Sequence, residues 1–139
     1  VDMFMTSPCY GNRMADHHEA RDPSKRNTYR HTLGRPLTPG NAGMLQWGDE
    51  YRKLHLDVYE HMTKTYRREG VPTWFVLNMS DHIRKGKRIK VVEWHADALS
   101  VFGWQWMQSH RIPTRRQRQG ENGELRVDYE EIIVMRYDG

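Results

Sequence analysis

Residues 1–16 read VDMFMTSPCYGNRMAD. Met3, Phe4 and Met5 form a short apolar run closed by Thr6-Ser7-Pro8 and then Gly11-Asn12. That pattern predicts a buried β-strand followed by a loop. A second apolar run, residues 73–79, predicts a strand covered on both faces. Between them, a helix is predicted from Asp49 to about Arg68, where Tyr51, Leu54, Val58, Met62 and Tyr66 recur at helical spacing. Gly70 and Pro72 end it. A second helix is predicted at about 89–102, stopping at Gly103. Trp104–Ile112 and Glu130–Tyr137 predict two antiparallel closing strands, with Gly120-Glu121-Asn122-Gly123 as their hairpin turn. Trp94, Trp104 and Trp106 read as core. The order predicts an α/β fold: half of a doubly wound sheet, mixed, with about four strands and at least two packed helices.

A chain of 139 residues suffices for one domain with a modest core. Hydrophobic residues make 37% and charged residues 29%, a balance that points to a folded rather than a disordered chain. No apolar run approaches the roughly 20 residues that cross a bilayer, so no membrane partner is expected. A single cysteine, Cys9, excludes an internal disulfide or a cysteine-based zinc cluster and is compatible with a reducing cytoplasm.

The net charge of +4 is a mild basic bias, and its distribution says more than its sum. Arg111, Arg115, Arg116 and Arg118 stand together without an acid, as do Arg84, Lys85, Lys87, Arg88 and Lys90. A third set, Arg21, Lys25, Arg26, Arg30 and Arg35, falls in residues 17–48, a segment punctuated by proline and glycine with little apolar periodicity. Loops of that length are uncommon in compact domains unless they are functional or disordered. Its mixture of stacking, hydrogen-bonding and cationic residues predicts a polar insertion facing nucleic acid. The three clusters predict phosphate contacts, with Arg13, Lys25, Arg26, Arg30, Arg115, Arg116 and Arg118 as the DNA-binding candidates.

In open α/β sheets, ligands bind beyond the carboxyl ends of the strands. The loop there carries Ser7, Pro8, Cys9 and Tyr10, with Arg13 following. It resembles the (D/N/S)-P-P-Y motif of the DNA amino-methyltransferases and departs from it at Cys9, where the second proline usually stands. Three further segments resemble the same phage and bacterial family, in the family's order. They are the strand and loop from Phe75 through Asn78, Ser80 and Asp81 to Arg84, the helix opening Val92-Glu93-Trp94-His95, and the basic stretch 114–123 with Arg126-Val127. The resemblance implies the closing half of a class I, Rossmann-like methyltransferase sheet and a cytoplasmic protein of a bacterial or phage-infected cell. It also implies transfer of a methyl group from S-adenosylmethionine to N4 of cytosine or N6 of adenine in DNA.

The chemistry accounts for such a motif. An exocyclic amine is a poor nucleophile because its lone pair is delocalised into the ring. Ser7 Oγ and the Pro8 carbonyl would accept the amine hydrogens and aim the lone pair, while Pro8 stiffens the loop. Tyr10 would stack on a base turned out of the duplex. Asn78, Ser80 and Asp81 would stand at the neighbouring strand end. Positioning and electrostatics would carry the rate.

The class I fold holds S-adenosylmethionine on a glycine-rich turn after its first strand, and this chain has no G-x-G in that context. The main cofactor motif is therefore expected outside it, upstream by preference, and the chain is expected to be a fragment with little activity alone. A half sheet with an unpaired edge would self-associate or seek the missing half.

Three other chemistries compete. Eight histidines raise a zinc site, but no metalloprotease-type H-x-x-x-H or cysteine pair supports one, and His55 and His61 fall on different helix faces, so no metal is expected. Asp16-His17-His18-Glu19 raises a nuclease without a second acidic motif to support it. A non-catalytic nucleic-acid-binding module, stacking bases on Tyr29 and Trp47, is the alternative function.

Overall fold

Strand β1 (Met3–Thr6) lies parallel to β2 (Thr73–Met79), in a register that sets Phe4 beside Phe75 and Thr6 beside Leu77. The computed structural model describes residues 2–8, 33–35, 38, 41–42, 45–66, 68–115 and 123–139. Two compact units divide the chain: Val1–Pro8 with Leu56–Gly139, and Cys9–His55. The helix α1 (Asp49–Tyr66) begins in the second unit and ends in the first.

In the first unit, β2 leads into a short hairpin, β3 (His82–Arg84) and β4 (Lys87–Ile89), and then into helix α2 (Val91–Val101). The chain closes with β5 (Gln105–Pro113) and β6 (Tyr129–Tyr137). The sheet order is β1-β2-β6-β5, with β6 antiparallel to both neighbours, so β5 runs with β1 and β2. Among the described residues this is the predicted mixed α/β architecture: four strands in one sheet, a parallel pair followed by an antiparallel closing pair, and two helices.

One sheet face carries the core. Phe75, Leu77 and Met79 of β2 and Ile133 and Met135 of β6 are buried there. Tyr59 and Met62 of α1, the buried face of α2 and Trp104 complete the buried set. Ring contacts knit them together: Phe75 meets Tyr59 at 5.9 Å, Trp104 at 5.8 Å and Phe4 at 5.9 Å between centroids, all edge-on, the arrangement aromatic quadrupoles prefer. A chain of polar contacts runs through the core. The Tyr59 hydroxyl lies 2.7 Å from Nδ1 of the fully buried His95, Thr63 Oγ1 donates to the Tyr59 carbonyl, and the Trp104 indole donates to Thr63 Oγ1 at 2.8 Å. Burial pushes the Tyr59 hydroxyl pKa well up, so the ring stays neutral.

Helix α2 stops where predicted. Gly103 has φ +96°, and a Cβ there would stand 3.1 Å from the Tyr137 ring. Only glycine turns the chain into β5 at that point.

Several expectations fail in detail. The buried positions of α1 are Tyr51, His55, Tyr59, Met62 and Thr63; Val58 is 50% exposed and Tyr66 also faces solvent. The packed face is thus rotated from the predicted stripe, because two tyrosines and a histidine bury more surface than Val58 and find polar partners. Strand β1 is an edge strand rather than a buried one: Phe4 alone of its four residues is half-buried, and Met5 is 70% exposed. Strand β2 alternates buried and half-buried residues instead of being covered on both faces. All nine residues of β5 are exposed, including Trp106 at 46%, so Trp106 is not core. Gly123 opens a 3₁₀ turn, Gly123–Leu125, while Gly120, Glu121 and Asn122 of the predicted hairpin turn lie outside the described residues.

In the second unit, the Gly48 carbonyl accepts the Arg52 N–H at 3.0 Å, and Asp49 and Glu50 place negative charge on the first turn of α1, where the helix dipole favours it. Trp47 packs on Tyr51 at 5.2 Å, with the Arg52 guanidinium over the indole at 5.4 Å. His55 packs on Tyr51 at 4.1 Å, its Nδ1 lying 2.8 Å from the Tyr51 carbonyl. Burial lowers the His55 pKa, with the carbonyl hydrogen bond opposing in part. The sign follows. The folded state binds this proton less readily than the unfolded chain, so stability is full above the ordinary histidine value of about 6.5 and is lost as pH falls below it. Urea titrations at pH 7.5 and 5.0 should show a drop that His55→Gln reduces; an equal drop in both proteins would contradict this assignment.

Candidate active site

Because β1 and β2 run parallel in register, their carboxyl ends emerge side by side. Ser7 and Pro8 follow Thr6, and Asn78 follows its partner Leu77. Ser7 is exposed and Pro8 half-buried. The predicted neighbourhood of Ser7 and Pro8 with the Asn78–Asp81 stretch is therefore that of adjacent strand ends. Tyr10, Arg13, Lys25, Arg26, Arg30, Arg116 and Arg118 lie outside the described residues. Arg115 is exposed, two residues beyond the end of β5.

The β2 side of this end is built on side chains that hold it rigid. Asp81 accepts the Val92 backbone N–H through Oδ1 at 3.0 Å and the Arg88 Nε–H through Oδ2 at 2.9 Å. It thereby caps α2 from ten residues upstream while its charge meets the positive end of the helix dipole. Ser80 is buried, its Oγ 3.0 Å from the carbonyls of Asp81 and Tyr129, which ties the end of β2 to the start of β6. Asn78 stands opposite Ile132, half-buried, and its Oδ1 is buried without a hydrogen-bond partner among the described residues. Asp81 and Ser80 are thus committed to structure, while Asn78 keeps an unused acceptor.

Sequence reasoning missed the Arg88–Tyr129–Arg111 group. Arg88 Nη2 donates to the Tyr129 hydroxyl at 2.6 Å, and the Arg111 guanidinium sits 4.5 Å from the centre of the same ring. The Tyr129 hydrogen bond, followed by Asp81, raises the Arg88 pKa above its ordinary value. Glu131 offsets Arg111 at 3.8 Å and accepts from Ser109 Oγ at 2.6 Å. An open concavity of about 400 Å³ lies here, lined by Asp81, Arg88, Trp106, Arg111 and Glu131 among others. Tyrosine and arginine separated by 41 positions give no local signal in the sequence.

Removing the Asp81 carboxylate removes a remote cap and an ion-pair partner together. Asp81→Ala should cost about 2 kcal/mol, near the upper end for a lost cap, whereas Asp81→Asn, which keeps the Val92 acceptor, should cost less than about 1 kcal/mol. Urea denaturation distinguishes them; equal losses would remove the capping role.

Among the described residues, no group of three histidine, cysteine or acidic side chains converges as a metal site, and no helix is long and apolar enough to cross a membrane. No strand of the described residues leads through a glycine-rich turn into a helix: β1 ends in Ser7-Pro8, and β2 in Ser80-Asp81. These residues do not by themselves fit S-adenosylmethionine. Comparison with family models, with curated proteins and with solved structures gives no match.

Proposed function

We propose that this chain carries the base-handling half of an S-adenosylmethionine-dependent DNA methyltransferase acting on an exocyclic amino group. The observation that supports the reading best is the parallel pairing of β1 with β2, which sets the Ser7-Pro8 end beside the Asn78–Asp81 end. The antiparallel insertion of β6 between β2 and β5 agrees with the closing half of the class I sheet. Ser7 is exposed at the strand end, as a group that must reach a base requires.

In this reading, Ser7 Oγ and the Pro8 carbonyl accept the two amine hydrogens and draw the nitrogen toward tetrahedral geometry. Tyr10 stacks on the extruded base. Asn78 stands at the adjacent strand end with its amide oxygen buried. Asp81 and Ser80 act as positioning residues, holding the end of β2 against α2 and β6. S-adenosylmethionine, when bound, supplies the electrophilic methyl group; its binding belongs to residues beyond those described here.

The test is transfer of label from methyl-labelled S-adenosylmethionine into duplex DNA by the protein that contains this chain. Label in DNA is the expected result. Duplex binding without label, across a random-sequence pool, would overturn it in favour of a non-catalytic nucleic-acid-binding module, the reading that the internal commitment of Ser80 and Asp81 favours.

A further inference from the structure

The β3–β4 hairpin is short, basic and firmly rooted. Its turn is Lys85-Gly86, with φ +51° and +73°, so both central residues are left-handed, as in the tight type I′ turn. Asparagine or aspartate before glycine suits such a turn; lysine in the left-handed region is uncommon. The register then sets Arg84 directly opposite Lys87, two cations on facing positions, which antiparallel pairs disfavour. Lys85 and Lys87 are exposed. Local folding preferences alone would not select this arrangement.

The root explains how the arrangement is held. Arg88 of β4 is anchored to Asp81 and to the Tyr129 hydroxyl. Asp81 is in turn fixed to the first turn of α2. The hairpin starts one residue after Asp81, so it rises from the strand end that adjoins Ser7 and Pro8.

We infer that the β3–β4 hairpin is a DNA-gripping ribbon whose tip lysines, Lys85 and Lys87, contact phosphates of a duplex presented to the strand-end site. A two-stranded ribbon fits the major groove, and backbone contacts of this kind fix register without reading sequence. Phosphates of the duplex meet the exposed ammonium groups of Lys85 and Lys87. The inference rests on the DNA reading of the adjacent site for its orientation, but its test does not require catalysis.

The experiment is a salt titration of binding to a fluorescent random-sequence duplex, read by anisotropy. Lys85→Asn with Lys87→Gln removes both charges, and asparagine suits the left-handed turn, so the hairpin is retained. Lys64→Gln, on an exposed turn of α1, is the charge control. Loss of two phosphate contacts should make the slope of log K against log salt shallower by about 1.8 and weaken binding about tenfold or more at low salt. The control should keep the wild-type slope. A double variant with the wild-type slope, an equal change in the control, or wild-type binding to anionic vesicles or single-stranded RNA but not to duplex would each overturn the inference. Absence of methyl transfer with the slope change intact would count against the proposed function and leave the ribbon standing.

Discussion

Replacing Trp104 with alanine should cost about 3–5 kcal/mol, the range for truncating a large buried aromatic side chain. Trp104 is 3% exposed and joins three parts of the first unit. Its ring packs edge-on against Phe75 of the central strand and lies 5.4 Å from Tyr137 of β6. Its indole N–H donates to Thr63 of α1, whose hydroxyl bonds the Tyr59 carbonyl. Alanine would open a cavity at the junction of both helices with the sheet and remove the indole hydrogen bond. Trp104→Phe should lose less, about 1–2 kcal/mol, because most of the apolar contact remains while the donor is gone. Domains of this size commonly have about 5–15 kcal/mol in total, so the alanine variant should be marginal at best. A loss below about 1 kcal/mol in urea denaturation would show that Trp104 is not the keystone of this core.

The second large effect falls on rate rather than stability. Ser7→Ala in the protein that contains this chain should lower kcat for methyl transfer about 10²-fold, comparable to removing one preorganised polar partner of a transition state. KM for DNA should move little, because in the proposed function the hydroxyl would engage the amine most strongly as the nitrogen becomes tetrahedral. Ser7 is exposed just beyond the end of β1, so the change should leave denaturation unaltered. A variant with unchanged kcat would remove Ser7 from the chemistry.

The elements that were legible are those with strong, long patterns. The run at 73–79, the helix from Asp49 and the stop at Gly103 all stand within a residue or two of their predicted places. Patterns that depend on a partner were not legible. Val58 and Tyr59 are both plausible core residues by type, and the choice of Tyr59 follows from His95, thirty-six positions away, which meets its hydroxyl. The β3–β4 hairpin escaped because strands of three residues are too short to show alternation, and Lys-Gly is not a customary signal for its turn. Asp81 caps a helix that begins ten residues later, whereas sequence rules look for a cap next to the first turn. Apolar type alone also misplaced Trp106 and Met5, since a residue on an edge strand turns outward unless a layer covers it.

In the proposed function, the Ser7-Pro8 end of β1 handles an exocyclic amine of a DNA base. Nucleoside analysis by mass spectrometry, on DNA incubated with the protein that contains this chain and S-adenosylmethionine, tests it most directly. The expected products are N4-methylcytosine or N6-methyladenine, depleted in the Ser7→Ala variant. C5-methylcytosine, or unmodified nucleosides throughout, would contradict it.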